Sequence, residues 1–136
     1  MTVCHIIIKK LIKVISLIKK IVVAGSRDFK NYNVAKEYID FCISEIRRTN
    51  TLIFMSGSCK GADFLGEMYA KENGFEIKKY PAEWQKYGKA AGPIRNEKMA
   101  KDADYIICFW NGQSKGTMSM IEYAEKYNKP IKIKKI

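Results

Sequence analysis

The sequence predicts an α/β sandwich built on a parallel sheet. Two observations carry this. Short β-branched runs alternate with stretches of helical apolar spacing, and glycine-bearing loops follow three of the runs, at Gly25, Ser56-Gly57 and Asn111-Gly112. From Lys20 the order is a strand over Ile21–Ala24, a helix over Val34–Arg47 and a strand over Thr51–Met55. A helix over Asp63–Glu72 follows, ended by Asn73-Gly74 as a C-cap signal. A strand over Phe75–Tyr80 stops at Pro81, and a long polar-aromatic loop runs over Ala82–Gly92. The next helix, Pro93–Lys101, carries proline in its first turn, where a missing N–H costs nothing. The chain closes with a strand over Asp104–Trp110, a helix over Thr117–Tyr127 and a short strand over Pro130–Ile133. Crossovers between such parallel strands are right-handed.

Residues 1–19 read as an N-terminal extension and residues 20–136 as one domain. The apolar run Ile6, Ile7, Ile8, Leu11, Ile12, Val14, Ile15, Leu17 and Ile18 is broken by Lys9, Lys10 and Lys13, which share one side of a helix. The segment is too short and too charged for a membrane span and lacks a signal-peptide cleavage site. A helix packed on the domain or on a second subunit, an added edge strand, and an extension with little role all fit it.

The formal charge of +11 suggests a nucleic-acid binder, but its distribution points elsewhere. Residues 1–20 hold five lysines and no acid, and residues 129–136 hold four lysines and no acid. The rest of the chain holds 16 basic and 14 acidic side chains, close to balance. A lysine-rich end still offers contact to nucleic acid. Cys4, Cys42, Cys59 and Cys108 form no Cys-x-x-Cys pair and His5 is the single histidine, so no metal site is expected. Cys42 and Cys108 read as core residues and Cys59 as an exposed loop thiol. Reduced thiols fit a cytoplasmic protein. One histidine near the N-terminus argues against a Ser-His-Asp triad.

Four loops carry the chemistry. Gly25-Ser26-Arg27-Asp28 turns sharply after a strand and offers a bidentate guanidinium. Ser56-Gly57-Ser58-Cys59-Lys60-Gly61-Ala62-Asp63 lacks the Walker A ending but brings glycines, hydroxyls and a helix N-terminus toward an anion. Asp63 reads either as the cap of its helix or as a contact to a ribose hydroxyl. The stretch from Trp84 through Tyr87, Lys89 and Gly92 to Arg95 and Asn96 combines aromatic faces for a base with cations for phosphate. Trp110-Asn111-Gly112-Gln113-Ser114-Lys115-Gly116-Thr117 ends a strand and starts a helix, with Trp110 as pocket wall or core. The resulting ligand-site set is Gly25, Ser26, Arg27, Gly57, Ser58, Gly61, Asp63, Trp84, Tyr87, Lys89, Arg95, Asn96, Trp110, Lys115, Gly116 and Thr117.

Taken together, Val23-Ala24-Gly25-Ser26-Arg27-Asp28-Phe29, the Ser56–Asp63 loop, Tyr80-Pro81-Ala82-Glu83-Trp84, Lys86–Asn96 with Met99-Ala100, and Phe109-Trp110-Asn111-Gly112 through Lys115-Gly116-Thr117 resemble the YspA/YpsA-related branch of the SLOG superfamily. The resemblance covers about residues 20–136, and Ser58 departs from a glycine common in the branch. It implies a Rossmann-like three-layer sandwich with a mainly parallel central sheet, a nucleotide-derived ligand of the ADP-ribose or cyclic-nucleotide kind, and a homo-oligomer. It also implies a sensing or sequestering role in prokaryotic and phage immune conflict. More distantly the chain resembles the Lonely Guy phosphoribohydrolases, which cut the N-glycosidic bond of nucleoside monophosphates, and DprA, which binds single-stranded DNA.

The phosphoribohydrolases pair an arginine and a Met-Ala dipeptide with Gly-Thr-x-x-Glu. Arg95 with Met99-Ala100 matches the first part, but Gly116-Thr117-Met118-Ser119-Met120 puts Met120 at the catalytic glutamate position. Glycoside cleavage normally draws on a carboxylate. The expectation is therefore ligand binding without catalysis and without a cofactor. Arg95 and Asp63 are the candidates should a reaction occur. Hydrolysis of a nucleotide and single-stranded nucleic-acid binding stand as the alternatives, and a membrane partner is not expected.

Overall fold

The computed structural model describes residues 2–136, with the side chains of residues 11–16 outside the described part. The elements are α1 (Val3–Ser16), β1 (Ile18–Gly25), α2 (Tyr32–Ile43), α3 (Ile46–Thr49), β2 (Thr51–Ser56), α4 (Ala62–Glu72), β3 (Glu76–Lys79), α5 (Trp84–Tyr87), a 3₁₀ turn (Gly88–Ala90), α6 (Ala91–Asp102), β4 (Tyr105–Trp110), α7 (Lys115–Lys126) and β5 (Ile131–Lys135). The five strands form one sheet in the order β3-β2-β1-β4-β5. Every pair is parallel, including Val22 against Met55 and Ala24 against Cys108. This is the α/β Rossmann-like fold.

Alternation along β1 builds both faces. Ile21 and Val23 enter one core with Ile39 and Ile43 of α2 and Leu65 and Tyr69 of α4. Val22 and Ala24 enter the other with Met99 and Ala100 of α6 and Met120 and Ile121 of α7. A central strand covered on both sides reads as a continuous apolar run, as Ile21–Ala24 does. Gly66 of α4 lets that helix lie on β1, because a Cβ there would stand 2.7 Å from the Cβ of Val23.

Several boundaries differ from the sequence reading. β1 starts at Ile18, three residues earlier than expected, and carries Lys19 and Lys20 half-exposed at its entrance. The helix expected over Val34–Arg47 is two helices. It starts at Tyr32 because the Asn31 side chain accepts the Val34 N–H. The Ala82–Gly92 loop holds α5 and the 3₁₀ turn, and α6 begins two residues before Pro93. The N-terminal segment is helical over Val3–Ser16, so the edge-strand reading fails, and the side chains of residues 2–10 are all exposed. The one-sided lysine pattern depends on Lys13 and on neighbours that lie outside the described side chains. No helix among the described residues is long and apolar enough to cross a membrane.

Candidate functional site

In the order β3-β2-β1-β4-β5 the chain reverses direction of winding between β1 and β4, and ligands in such sheets bind outside the strand carboxyl ends at that point. A cleft of about 350 Å³ opens there. Its walls are Ala24–Asp28 at and just past the end of β1, Cys59, Asp63 of α4, Arg95 and Asn96 of α6, and Asn111, Ser114, Gly116 and Thr117 around the start of α7, with Met99 and Met120 as its apolar lining.

Ser26 ties the walls together. Its N–H donates to Phe109 O (2.9 Å), its carbonyl accepts the Ala62 N–H (3.2 Å), and its hydroxyl accepts the Asn111 N–H (3.3 Å). One residue thus couples the ends of β1 and β4 to the start of α4. The crossing is tight: at Gly61 (φ +78°) a Cβ would come within 2.6 Å of the Arg27 backbone, so only glycine fits.

Arg95 is 9% exposed and is held by backbone acceptors. Its Nη1 donates to Gly57 O and, at 3.4 Å, to Tyr80 O; its Nε donates to Asn96 Oδ1 at 2.9 Å; its Nη2 lies 3.5 Å from Cys59 Sγ. Asn96 in turn donates from Nδ2 to Gly116 O at 3.3 Å, linking the guanidinium to the first turn of α7. Gly57 makes room for this group, since a Cβ would stand 2.6 Å from Arg95 Nη1 and 2.8 Å from Asp63 Oδ2.

Asp63 is 6% exposed. It does not cap α4, whose N-cap is Gly61 with no side-chain bond; its Oδ2 accepts the Cys59 N–H at 3.3 Å instead. Burial pushes its carboxyl up to about 6, and the Cys59 N–H and the Arg95 charge only partly offset that. It is therefore poised to hold or release a proton near neutrality.

An asparagine turn and a serine cap shape the start of α7. Asn111 Oδ1 accepts the Gln113 and Ser114 N–H groups at 2.9 and 2.8 Å, and Ser114 caps the helix by accepting the Thr117 N–H. The N–H groups of Lys115 and Gly116, in the first turn, have no acceptor within the helix and carry the positive end of its dipole. Arg95 and Arg27 line the same cleft as this helix start, so two guanidinium groups, a helix N-terminus and the Asp63 carboxyl share one lining.

The structure brings Gly25, Ser26, Arg27, Asp63, Arg95, Asn96, Gly116 and Thr117 together on the cleft. It puts others elsewhere. Trp84 (53% exposed), Tyr87 and Lys89 lie on α5 and the 3₁₀ turn, outside the cleft. Trp110 packs against the α6–α7 core and donates from Nε1 to Ser114 O at 3.2 Å, so it braces the loop and does not wall the pocket. Gly57 accommodates Arg95; Ser58 and Gly61 face a neighbouring cavity; Lys115 is exposed beyond the rim. Several amides expected to face a ligand are spent internally: Ser26 on Phe109, Ser58 on the Ser56 hydroxyl at 3.0 Å, and Thr117 on Ser114. Asn111 and Ser114 belong to the fourth loop but not to the ligand-site set read from the sequence, although an Asn-Gly turn and a serine three residues before Thr117 are ordinary turn and cap signals. Among the described residues no group of three or more His, Cys, Asp or Glu could hold a metal ion. Cys108 is buried, and its thiol is pushed up to about 12 by that burial.

The family model described as the YspA, cpYpsA-related SLOG family matches residues 19–87. The chain belongs to this SLOG family. The Gene 61 protein of Mycobacterium phage D29 is 28% identical over 120 residues, covering 83% of this chain and 94% of that protein. Among solved structures, DNA processing protein A (DprA) of Streptococcus pneumoniae superposes with a TM-score of 0.66 at 20% identity, over 89% of this chain. That likeness establishes the shared fold, and the SLOG chain spans about half of DprA, 51%. SLOG membership connects the chain with nucleotide- or nucleic-acid-related function.

Proposed function

We propose that this SLOG protein binds a nucleotide-derived small molecule as a sensor or sequestering protein, gripping its phosphate at the start of α7. The observation that carries this is the convergence of buried Arg95, the guanidinium of Arg27 and the Gly116 end of α7 on one cleft at the switch point. Met120 supports binding over turnover. It is 1% exposed, it lines the cleft floor, and it occupies the position that holds the glutamate in the phosphoribohydrolases. Glu122, two residues on, is exposed and is not among the cleft-lining residues. The family resemblance supports an ADP-ribose or cyclic-nucleotide signal as the ligand, and the mycobacteriophage relative supports a role in phage–host conflict. The family resemblance implies a homo-oligomer, and we include in the proposal a second subunit that completes the site.

One observation favours a second reading. Asp63 is a buried carboxyl near Arg95, with its proton affinity raised toward neutrality. Such a group is suited to acid or base work on an N-glycosidic bond. Mass spectrometry separates the two: the purified protein is incubated with a panel of nucleoside monophosphates, ADP-ribose and cyclic ADP-ribose, then denatured. Intact ligand recovered in stoichiometric amount supports a sensor or sponge. Free base with ribose phosphate establishes a hydrolase, and Asp63→Asn would then abolish product.

A further inference from the structure

A second cavity, of about 830 Å³, adjoins the cleft. The two share Arg27, Asp28 and Cys59 as a common ridge, so a bound molecule can cross from one to the other without leaving the protein surface. Their linings differ in kind. The cleft is ringed by hydrogen-bonding groups, whereas the second cavity is walled by Phe29, Phe64 and Leu65, with charges of both signs, Lys30, Lys60, Asp28 and Glu67, around them. Phe64 is 60% exposed although it sits next to buried Asp63 in the first turn of α4. Adjacent helix positions point about 100° apart, so Asp63 faces one cavity and Phe64 the other. An exposed ring over an otherwise apolar wall is a stacking platform for a planar aromatic group. In volume the cleft lies near the lower end of small-ligand sites, about 300–1,000 Å³, and the second cavity near the upper end.

We propose that the second cavity is an aromatic-base subsite, and that the ligand is two-ended: a sugar phosphate in the cleft, joined across the Arg27–Cys59 ridge to a base stacked on Phe64. The ligand class is then a dinucleotide-like molecule with its base at a distance from the gripped phosphate, and not a nucleoside monophosphate. This rests on the phosphate-binding reading of the cleft.

The test is calorimetric titration of the full chain with ribose 5-phosphate, AMP and ADP-ribose, repeated on Phe64→Ala and Arg95→Met. Light scattering and a thermal melt accompany each variant. The expected result is ADP-ribose binding at least tenfold tighter than ribose 5-phosphate. Phe64→Ala should remove about tenfold of the ADP-ribose affinity and leave ribose 5-phosphate unchanged, while Arg95→Met weakens both. Equal affinity of Phe64→Ala and wild-type protein for ADP-ribose, with ribose 5-phosphate binding intact, overturns the subsite but keeps the cleft reading. Loss of oligomer mass in Phe64→Ala with all three affinities unchanged assigns the ring to contact between copies and also overturns it. If none of the three probes binds the wild-type protein, the phosphate-binding reading falls and this inference falls with it.

Discussion

Two glycine-bearing segments of this chain have nearly the same ingredients and opposite fates. The Ser56–Asp63 loop and the Trp84–Ala90 segment each bring polar side chains, cations and a glycine in an unusual conformation. Gly61 has φ +78° and ψ −128°, and Gly88 has φ +57° and ψ −133°, the same sparsely populated region. Yet around Gly61 the chain is pressed against the Arg27 backbone, whereas around Gly88 nothing lies within 4 Å of where a Cβ would be. Composition therefore does not make a site. What separates the two is whether another part of the fold closes over the loop, and here the Ser26-Arg27 turn after β1 closes over one while the other stays on the surface.

The sharpest way to break that comparison is to place the same methyl group in both. An alanine in this backbone region costs roughly 1–3 kcal/mol wherever it occurs. Gly88→Ala should show that cost alone. Gly61→Ala adds a collision with backbone that cannot move without separating β1 from α4, so a total beyond about 4 kcal/mol, or failure to fold, is expected. Denaturant melts of the two variants measure the difference. Equal losses would mean that the crossing of the two loops is not rigid.

Arg95→Met comes next. The substitution keeps much of the side-chain volume but removes the donors to Gly57 O, Tyr80 O and Asn96 and leaves Asp63 without its nearby cation. Breaking a buried polar cluster from one side costs about 3 kcal/mol. The loss should be smaller at pH 5 than at pH 8, because protonated Asp63 no longer needs the charge. Melting curves at the two pH values check both parts.

Asp63→Asn should act in the opposite direction. The folded-state carboxyl holds its proton up to about pH 6, against an ordinary value of 3.8, so the native state binds more protons than the unfolded chain between those limits. Stability therefore falls as pH rises from about 4 through 6, by at most roughly 3 kcal/mol. An asparagine can still accept the Cys59 N–H and escapes this penalty. It should melt higher than the wild-type protein at pH 7.5 and lose that advantage near pH 4. A parallel pH profile for the two proteins would show that Asp63 is not the titrating group. Phosphate in the cleft should favour the protonated aspartate, so its affinity should rise as pH falls in the wild-type protein more than in the variant.

Much of this was legible in the sequence, for identifiable reasons. Ile21–Ala24 and Tyr105–Trp110 announce themselves as buried strands by their apolar continuity, and a parallel sheet then gathers their following loops at one edge whatever the loops contain. That reasoning led to Ser26, Arg27, Gly116 and Thr117 on the cleft. It could not lead to the bond between Arg95 and Gly57, 38 residues apart. Nor could it show that Asp63 serves Cys59 instead of its own helix, because sequence spacing is silent about which backbone groups meet across a fold. Element ends failed where short-range chemistry decides them. Asn31 starts α2 by accepting an N–H, and α5 is only four residues, too short to show a period.

The same limit explains the aromatic pair in the exposed segment, which has the smallest expected effect and so completes the contrast. Stacking potential was read from ring content, yet the Trp84 and Tyr87 rings lie outside the cleft, and Lys86 Nζ sits 5.0 Å over the Tyr87 ring as a local surface contact. Trp84→Ala and Tyr87→Ala should each change stability by no more than about 0.5 kcal/mol, as surface substitutions away from buried features do. Neither should alter ribose 5-phosphate affinity. Salt-sensitive binding of a single-stranded oligonucleotide that disappears in the Trp84→Ala, Tyr87→Ala double variant would reverse this assignment. The two rings and the lysines beside them would then form a nucleic-acid surface separate from the cleft, and the segment left open by the fold would have a ligand of its own.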